Sequence, residues 1–136
     1  MPSEIKIAIR QTSASTSEAA IRQHRVAIDR PATKGGDDQG PMGGELFLAA
    51  IGGCFMSNLL AAIKGRQADV SGAQTEVIGV LDESPARFTA VALNVTAKYS
   101  DREQFEKLVE IADRGCIMMN TLRGKLDIKV HAGILV

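Results

Sequence analysis

Two residues in this chain have side chains suited to covalent chemistry, Cys54 and Cys116. A cysteine is a nucleophile only as its thiolate, and a thiol with the ordinary pKa of about 8.5 is only a few per cent ionised at neutral pH. A reactive cysteine therefore needs a positive neighbour. If Cys54 lies in a helix, the residues one turn away are Ala50, Ile51, Ser57 and Asn58, none of them cationic. The charge must then come from elsewhere in the fold or from a second subunit, with Arg22, Arg25 and Arg30 as the N-terminal candidates. Cys116 follows Gly115 where a short helix is expected to begin, and the positive end of a helix favours a thiolate. The cysteines are 62 positions apart, so any pairing depends on tertiary structure. Two readings stay open on spacing alone: a redox pair, or two buried thiols serving as small hydrophobes.

The elements that must position these thiols follow from the apolar pattern. Ile5, Ile7 and Ile9 alternate with Lys6 and Arg10, which predicts a strand over residues 3–11. The polar TSASTSE segment reads as a connection, and a second strand is expected over about His24–Arg30. The loop PATKGGDDQGPMGG lacks the Gly-Lys-Ser/Thr ending of a phosphate cradle and reads as loop chemistry, with Asp37 and Asp38 as solvated acids. Leu46–Ile63 carries 18 residues without a charge, at the lower edge of a membrane span. Gly52, Gly53, Ser57 and Asn58 within it favour a buried central helix over about Gly44–Gly65 instead. Two helix-interior glycines cost about 1 kcal/mol each relative to alanine, so another element or a substrate is expected to approach the backbone there.

Strands are predicted over Thr75–Leu81 and Arg87–Tyr99, parted by Ser84-Pro85, since proline cannot continue a ladder. Ser100 and Glu103 have capping-box spacing ahead of Phe105, Leu108, Val109 and Ala112, and Gly115 is placed to end that helix in a left-handed cap. A short helix from about Cys116 and a last strand over Leu126–Ile134 complete an α+β domain in the order β-β-α-β-β-α-(α)-β.

At 136 residues with 45% hydrophobic content, the chain reads as a single domain over residues 1–136. Sixteen basic and sixteen acidic residues cancel, so no basic field for nucleic acid is expected. With no polybasic run beside an amphipathic helix, membrane-surface binding has no support. MPSEIKIAIRQ lacks the uninterrupted apolar run of a signal peptide, which implies a reducing cytoplasm, where two cysteines are not a disulfide scaffold. His24 and His131 fall in separate strands and read as surface or edge positions, not metal ligands. Met56, Met118 and Met119 are expected in the core or an interface, or with Phe55 and Phe105 around an apolar substrate pocket. Ser57 and Asn58 share the side of the helix that carries Cys54, placed either for helix–helix polar contact or to bond a substrate.

GPMGGELFLAAIGGCF (Gly40–Phe55) resembles the signature of the OsmC/Ohr-like family of osmotically induced and organic-hydroperoxide-resistance proteins. HRVAIDRPATKGGDDQG (His24–Gly40) and LVEIADRGCIMMNTL (Leu108–Leu122) resemble it too, and the match spans roughly residues 20–134. The resemblance implies an intertwined homodimer with reactive sites near the subunit interface. It implies that Cys54 attacks a peroxide O–O bond to give a sulfenic acid and that Cys116 condenses with it to a disulfide. An external dithiol, typically a lipoyl group on a carrier protein, would reset the pair, with no metal, haem or flavin. One position departs from the pattern. The peroxidase branches place a glutamate ten residues before the first cysteine, where it helps hold the activating arginine; here that residue is Gly44. Glu45, nine residues before Cys54, would face the opposite side of the helix and reads as a first-turn acid complementing the helix dipole. The substitution leaves a non-peroxidase module of the same fold, dimeric and binding a small apolar ligand, as the alternative.

Overall fold

The computed structural model describes residues 2–134. They cluster into two compact units, Met1–Phe47 and Leu48–Val136, divided within the first helix. In the N-terminal unit β1 (Ala8–Gln11), β2 (Ser17–Ile21) and β3 (His24–Ile28) form an antiparallel sheet in chain order. The expected first strand is thus shorter than predicted, and a strand stands where a connection was expected. Two features explain the difference. Glu18 pairs opposite Arg10 and Ala27, and its carboxylate takes Arg10 at 3.2 Å and Arg25 at 3.8 Å, so a polar residue sits comfortably mid-sheet. The β2–β3 connection is only Arg22-Gln23, with Arg22 at φ 54°, a conformation usually signalled by Gly or Asn.

From β3 the chain enters a loop organised by Asp29. Its side chain accepts hydrogen bonds from Thr16 Oγ1 (2.9 Å), Arg30 N (2.7 Å), Asp37 N and Gln39 N (both 3.2 Å), while its own N–H bonds Pro41 O at 3.0 Å. A side chain at Gly36 or Gly40 would collide with the backbone of Arg30 or Ala27, which is why this loop is glycine-rich.

Helix α1 (Gly43–Gly65) begins one residue before its expected start. Glu45 Oε1 accepts the Met42 N–H at 2.8 Å, so this acid closes the helix N-terminus as expected. By length and composition α1 could cross a membrane, yet one face packs into this chain, burying Ile51, Gly52, Phe55, Leu59 and Ala62. Only 28% of its most apolar window is buried, so the central helix is less enclosed within one chain than its uniform apolarity predicts.

The second sheet runs β4 (Val70–Asp82), β5 (Arg87–Tyr99), β6 (Asp127–Ile134), with β4–β5 antiparallel and β5–β6 parallel. The parallel pair requires a crossover, supplied by α2 (Arg102–Arg114) and α3 (Ile117–Leu122). Val91, Leu93, Val95 and Ala97 form the buried face of β5, as their alternation predicts. β4 starts earlier than expected because a register shift between Ser71 and Gln74, with Gly72 at φ 60°, interrupts the alternation. Phe105, Leu108, Val109 and Ala112 are the buried stripe of α2, and the Phe105 ring stacks on Tyr99 at 4.8 Å.

Both expected caps of α2 need correction. Asp101 is the N-cap, its side chain accepting from Gln104 N at 3.3 Å, because a carboxylate one residue after Ser100 reaches the first-turn N–H groups. Gly115 ends the helix at φ −88°, not in a left-handed turn, since the chain passes directly into α3. The α+β class holds, with three α-helices and two three-stranded sheets among the described residues and the order β-β-β-α-β-β-α-α-β.

Candidate functional site

Cys54 lies in the middle of α1, half-buried, and its placement depends on the contact between α1 and β4. Gly52 is fully covered, and a Cβ there would come within 2.6 Å of Val77 Cγ2. The close approach that the double glycine predicts is therefore to a strand of the same chain, and it belongs to Gly52; Gly53 is exposed, with open space around its would-be Cβ. Thr75 Oγ1, two residues along β4, donates to Met56 Sδ at 3.0 Å and fixes the next turn of α1.

Cys116, 0% exposed, is the N-cap of α3. The fold brings the two thiols together. Burial works to raise the Cys54 thiol pKa, but hydrogen bonding from the Met118 N–H, the Cys116 S–H and the Ile117 N–H outweighs it, and the net shift is downward. Ile117 and Met118 are the first two residues of α3, so their N–H groups lack partners inside that helix and are free to serve a sulfur anion. Cys116 moves the other way: burial and its hydrogen bond to Cys54 both raise it, with the neighbouring Cys54 charge adding to the effect. The expectation that the start of α3 favours a thiolate at Cys116 is thus corrected. The Met119 and Met118 N–H groups do act to lower Cys116, but burial and the bond to Cys54 outweigh them, while the Met118 and Ile117 N–H groups also act on Cys54.

The donors acting on Cys54 within Leu48–Ile134 are neutral. The candidate arginines lie in the N-terminal unit. Arg22 occupies the β2–β3 turn, and Arg30 follows Asp29. Arg25 donates to the carbonyls of His24 (3.0 Å) and Arg22 (3.4 Å) besides pairing with Glu18. Gly44 is exposed in the first turn of α1.

Phe55, Phe105 and Met119 are core side chains, 0%, 1% and 2% exposed, and of the three Met119 also lines a cavity beside α3. Ser57 is exposed, whereas Asn58 Nδ2 donates to Ala112 O at 3.3 Å, the interhelical contact expected for one of this pair. His24 and His131 are exposed on β3 and β6. Asp29 is the polar residue whose importance is hidden in the sequence. It is 3% exposed, and although burial opposes ionisation, the N–H groups of Gln39 and Arg30 and the Thr16 and Ser15 hydroxyls hold its carboxyl down at about 2. An aspartate between a strand and a glycine-rich turn was the available signal.

The α+β scaffold thus carries two free cysteines, Cys54 partly exposed and Cys116 buried. Comparison with known proteins gives the family. The OsmC-like protein family matches residues 35–131, and the chain belongs to that family. Its fold is similar to that of an OsmC-like protein from Mycoplasma pneumoniae, with TM-score 0.86, 16% identity and 100% of each chain covered. It is also similar to an organic hydroperoxide resistance protein, OsmC, from Legionella pneumophila (TM-score 0.73, 20% identity, 94% of this chain and 95% of that one). A third similar structure is the organic hydroperoxide resistance protein OhrB of Bacillus subtilis (TM-score 0.66, 27% identity, 94% and 96% covered). No curated protein matches the chain.

Proposed function

We propose that this protein is a thiol-dependent reductase of organic hydroperoxides, with Cys54 the peroxidatic and Cys116 the resolving cysteine. The observation that carries the reading is the meeting of the two thiols with opposite pKa shifts, the lower on the more accessible sulfur. The Cys54 thiolate attacks the terminal peroxide oxygen; the O–O bond breaks, the sulfur loses two electrons, and an alcohol leaves after taking a proton. The Cys116 thiol then attacks the Cys54 sulfenic acid, forming the disulfide and releasing its proton with the hydroxyl as water. An external dithiol, possessed of two thiols and two protons to give, restores the pair by exchange; a lipoylated carrier is the partner the family resemblance supplies. The similarity to two organic hydroperoxide resistance proteins supports the substrate class.

The working form in this reading is a homodimer in the cytoplasm, away from membranes. Ile9 on the edge strand β1 and Ile5 and Ile7 in the segment before it are 57%, 90% and 53% exposed, and Leu60 is 52% exposed on α1, apolar surface that a second copy would cover. A second reading, an apolar-ligand module, has one observation of its own. A cavity of about 360 Å³ between α3 and β6 has Met119, Leu126, Ile128 and Val130 in its lining and the Arg123–Asp113 ion pair at its rim.

Reduction of cumene hydroperoxide by the purified protein with dihydrolipoamide, beside Cys54→Ser, separates the two. Turnover abolished by the substitution supports the reductase and shows that Gly44 is compatible with activity. Turnover equal to the Cys54→Ser background refutes it in favour of the ligand-binding module.

A further inference from the structure

Asn58 is tied to both thiols by position. It lies four residues after Cys54, one turn along α1, and its Nδ2 donates to Ala112 O at 3.3 Å, in the last turn of α2. That carbonyl would bond the Cys116 N–H if α2 continued regularly. The Cys116 N–H instead goes to Asp113 O at 3.2 Å, where the chain tightens into the α2–α3 junction. Asn58 therefore supplies a donor to a carbonyl released by the same bend that sets Cys116 at the start of α3. A second asparagine works on the same junction: Asn120 Nδ2 takes Arg114 O at 3.1 Å, and its backbone N–H takes Cys116 O at 2.9 Å. Gly115 passes against the Asn58 amide, with room for a Cβ only 3.5 Å from Nδ2.

We infer that Asn58 is a positioning residue for the dithiol site, holding the α2–α3 junction against α1 so that the Cys116 thiol and the first N–H groups of α3 stay aimed at Cys54 Sγ. No other interhelical side-chain hydrogen bond between α1 and α2 is present among the described residues, so apart from the bonds that end on Cys54 itself the register of the two cysteine-bearing segments rests on apolar packing and this bond. Apolar packing is non-directional. It holds α1 near α2, but it tolerates a sliding or rotation of a few tenths of an ångström that N–H···S geometry does not. The inference deepens the reductase reading and rests on it for its catalytic meaning, though the effect on Cys54 exists whether or not a peroxide is the substrate.

The test uses the full-length protein and reads the thiol directly. Asn58→Leu keeps the size and removes the donor; Asn58→Gln keeps a donor on a longer arm. The rate of Cys54 alkylation by iodoacetamide against pH, in a Cys116→Ser background and in the native pair, gives the Cys54 pKa; single-turnover oxidation by cumene hydroperoxide gives the rate of Cys54–Cys116 disulfide formation. In Asn58→Leu the alkylation profile moves to higher pH and disulfide formation slows by roughly three- to tenfold, the scale of one lost hydrogen bond. Asn58→Gln returns both toward the wild-type values. Thermal unfolding is recorded for each variant; should Asn58→Leu fail to fold, Asn58→Ser, whose hydroxyl falls short of Ala112 O, takes its place with the same expected shifts. A folded variant with lowered thermal stability but an unmoved alkylation profile and disulfide rate overturns the inference and leaves Asn58 a merely structural contact. If wild type proves inactive toward peroxides, the alkylation profile still decides the role of Asn58, so the two failures are distinguishable.

Discussion

Replacing Gly52 by alanine tests the packing on which the position of Cys54 depends. An alanine Cβ would stand 2.6 Å from Val77 Cγ2, against the 3.5–4.0 Å at which carbon atoms ordinarily meet, so roughly 1 Å of movement is required. The helix cannot simply retreat. Ile51 and Phe55, on either side of Gly52, are 0% exposed, and moving them opens the core. Overpacking of this kind costs about 1–3 kcal/mol, while alanine gains about 0.8–1.0 kcal/mol over glycine in a helix interior, so the net expectation is a loss of about 0–2 kcal/mol. Urea unfolding followed by far-ultraviolet circular dichroism measures it as a fall in midpoint at constant slope. Val77→Ala removes the colliding methyl, so the double variant should be more stable than additivity of the single changes allows, with a coupling of about 1 kcal/mol or more. A Gly52→Ala protein more stable than wild type by the full helix-propensity gain, or strict additivity in the cycle, refutes the close approach of α1 to β4.

Three further outcomes follow from particular contacts. Cys116→Ala removes the S–H donor, so the iodoacetamide profile of Cys54 should move to higher pH; an unmoved profile would show that the α3 N–H groups alone set that thiol. Asp101→Ala should cost about 1 kcal/mol in chemical denaturation and Ser100→Ala little, and equal effects would return the cap to Ser100. The folded Asp29 carboxyl, at about 2, lies below an unfolded value of about 3.9, so its stabilisation is complete above the unfolded value and is lost as pH falls from about 4 through 2. Asn in its place should flatten the acid limb of stability against pH, and an unchanged limb would assign acid sensitivity to other groups.

What could be read from the residues and what could not divides along physical lines. The buried face of β5 and the stripe of α2 have clean periods of 2 and 3.6, and both appear where the alternation of Val91, Leu93 and Val95 and the spacing of Phe105, Leu108 and Ala112 put them. β2 was hidden because its turn is made by Arg22-Gln23, without a turn-forming residue, and because Glu18 is stabilised by cross-strand arginines that only pairing reveals. The cap of α2 was displaced by one residue because Ser100 and Asp101 are both good N-caps and local pattern cannot rank them. Gly52 was legible as a close approach but not as an approach to Val77, since the partner is set by tertiary structure. Asp29 was invisible for the same reason: its donors include Thr16, Arg30, Asp37 and Gln39, on both sides of it in sequence.

The thiol site itself shows why spacing could nominate both cysteines and still misassign the helix that activates one of them. A helix dipole acts on whatever lies in front of its N–H groups, not on the residue that happens to start it. At the head of α3 the Met118 and Ile117 N–H groups meet Cys54, brought there by α1, whereas at Cys116 the Met119 and Met118 N–H groups are outweighed by burial and by the bond to Cys54. The resulting asymmetry suits the proposed reaction. The accessible sulfur carries the anion that attacks peroxide, and the buried one keeps its proton until a sulfenic hydroxyl needs it in order to leave as water. Burial of Cys116 at 0% exposure also shields it from direct oxidation, so oxidant meets Cys54 first. With Cys116 beside Cys54, the sulfenic acid of the proposed reaction has a partner before a second peroxide arrives. Loss of Cys116 should therefore expose Cys54 to sulfinic acid formation at peroxide doses the wild-type pair survives, a gain of two oxygen masses over the thiol where the wild-type pair only loses two hydrogens, which intact-protein mass spectrometry reads directly.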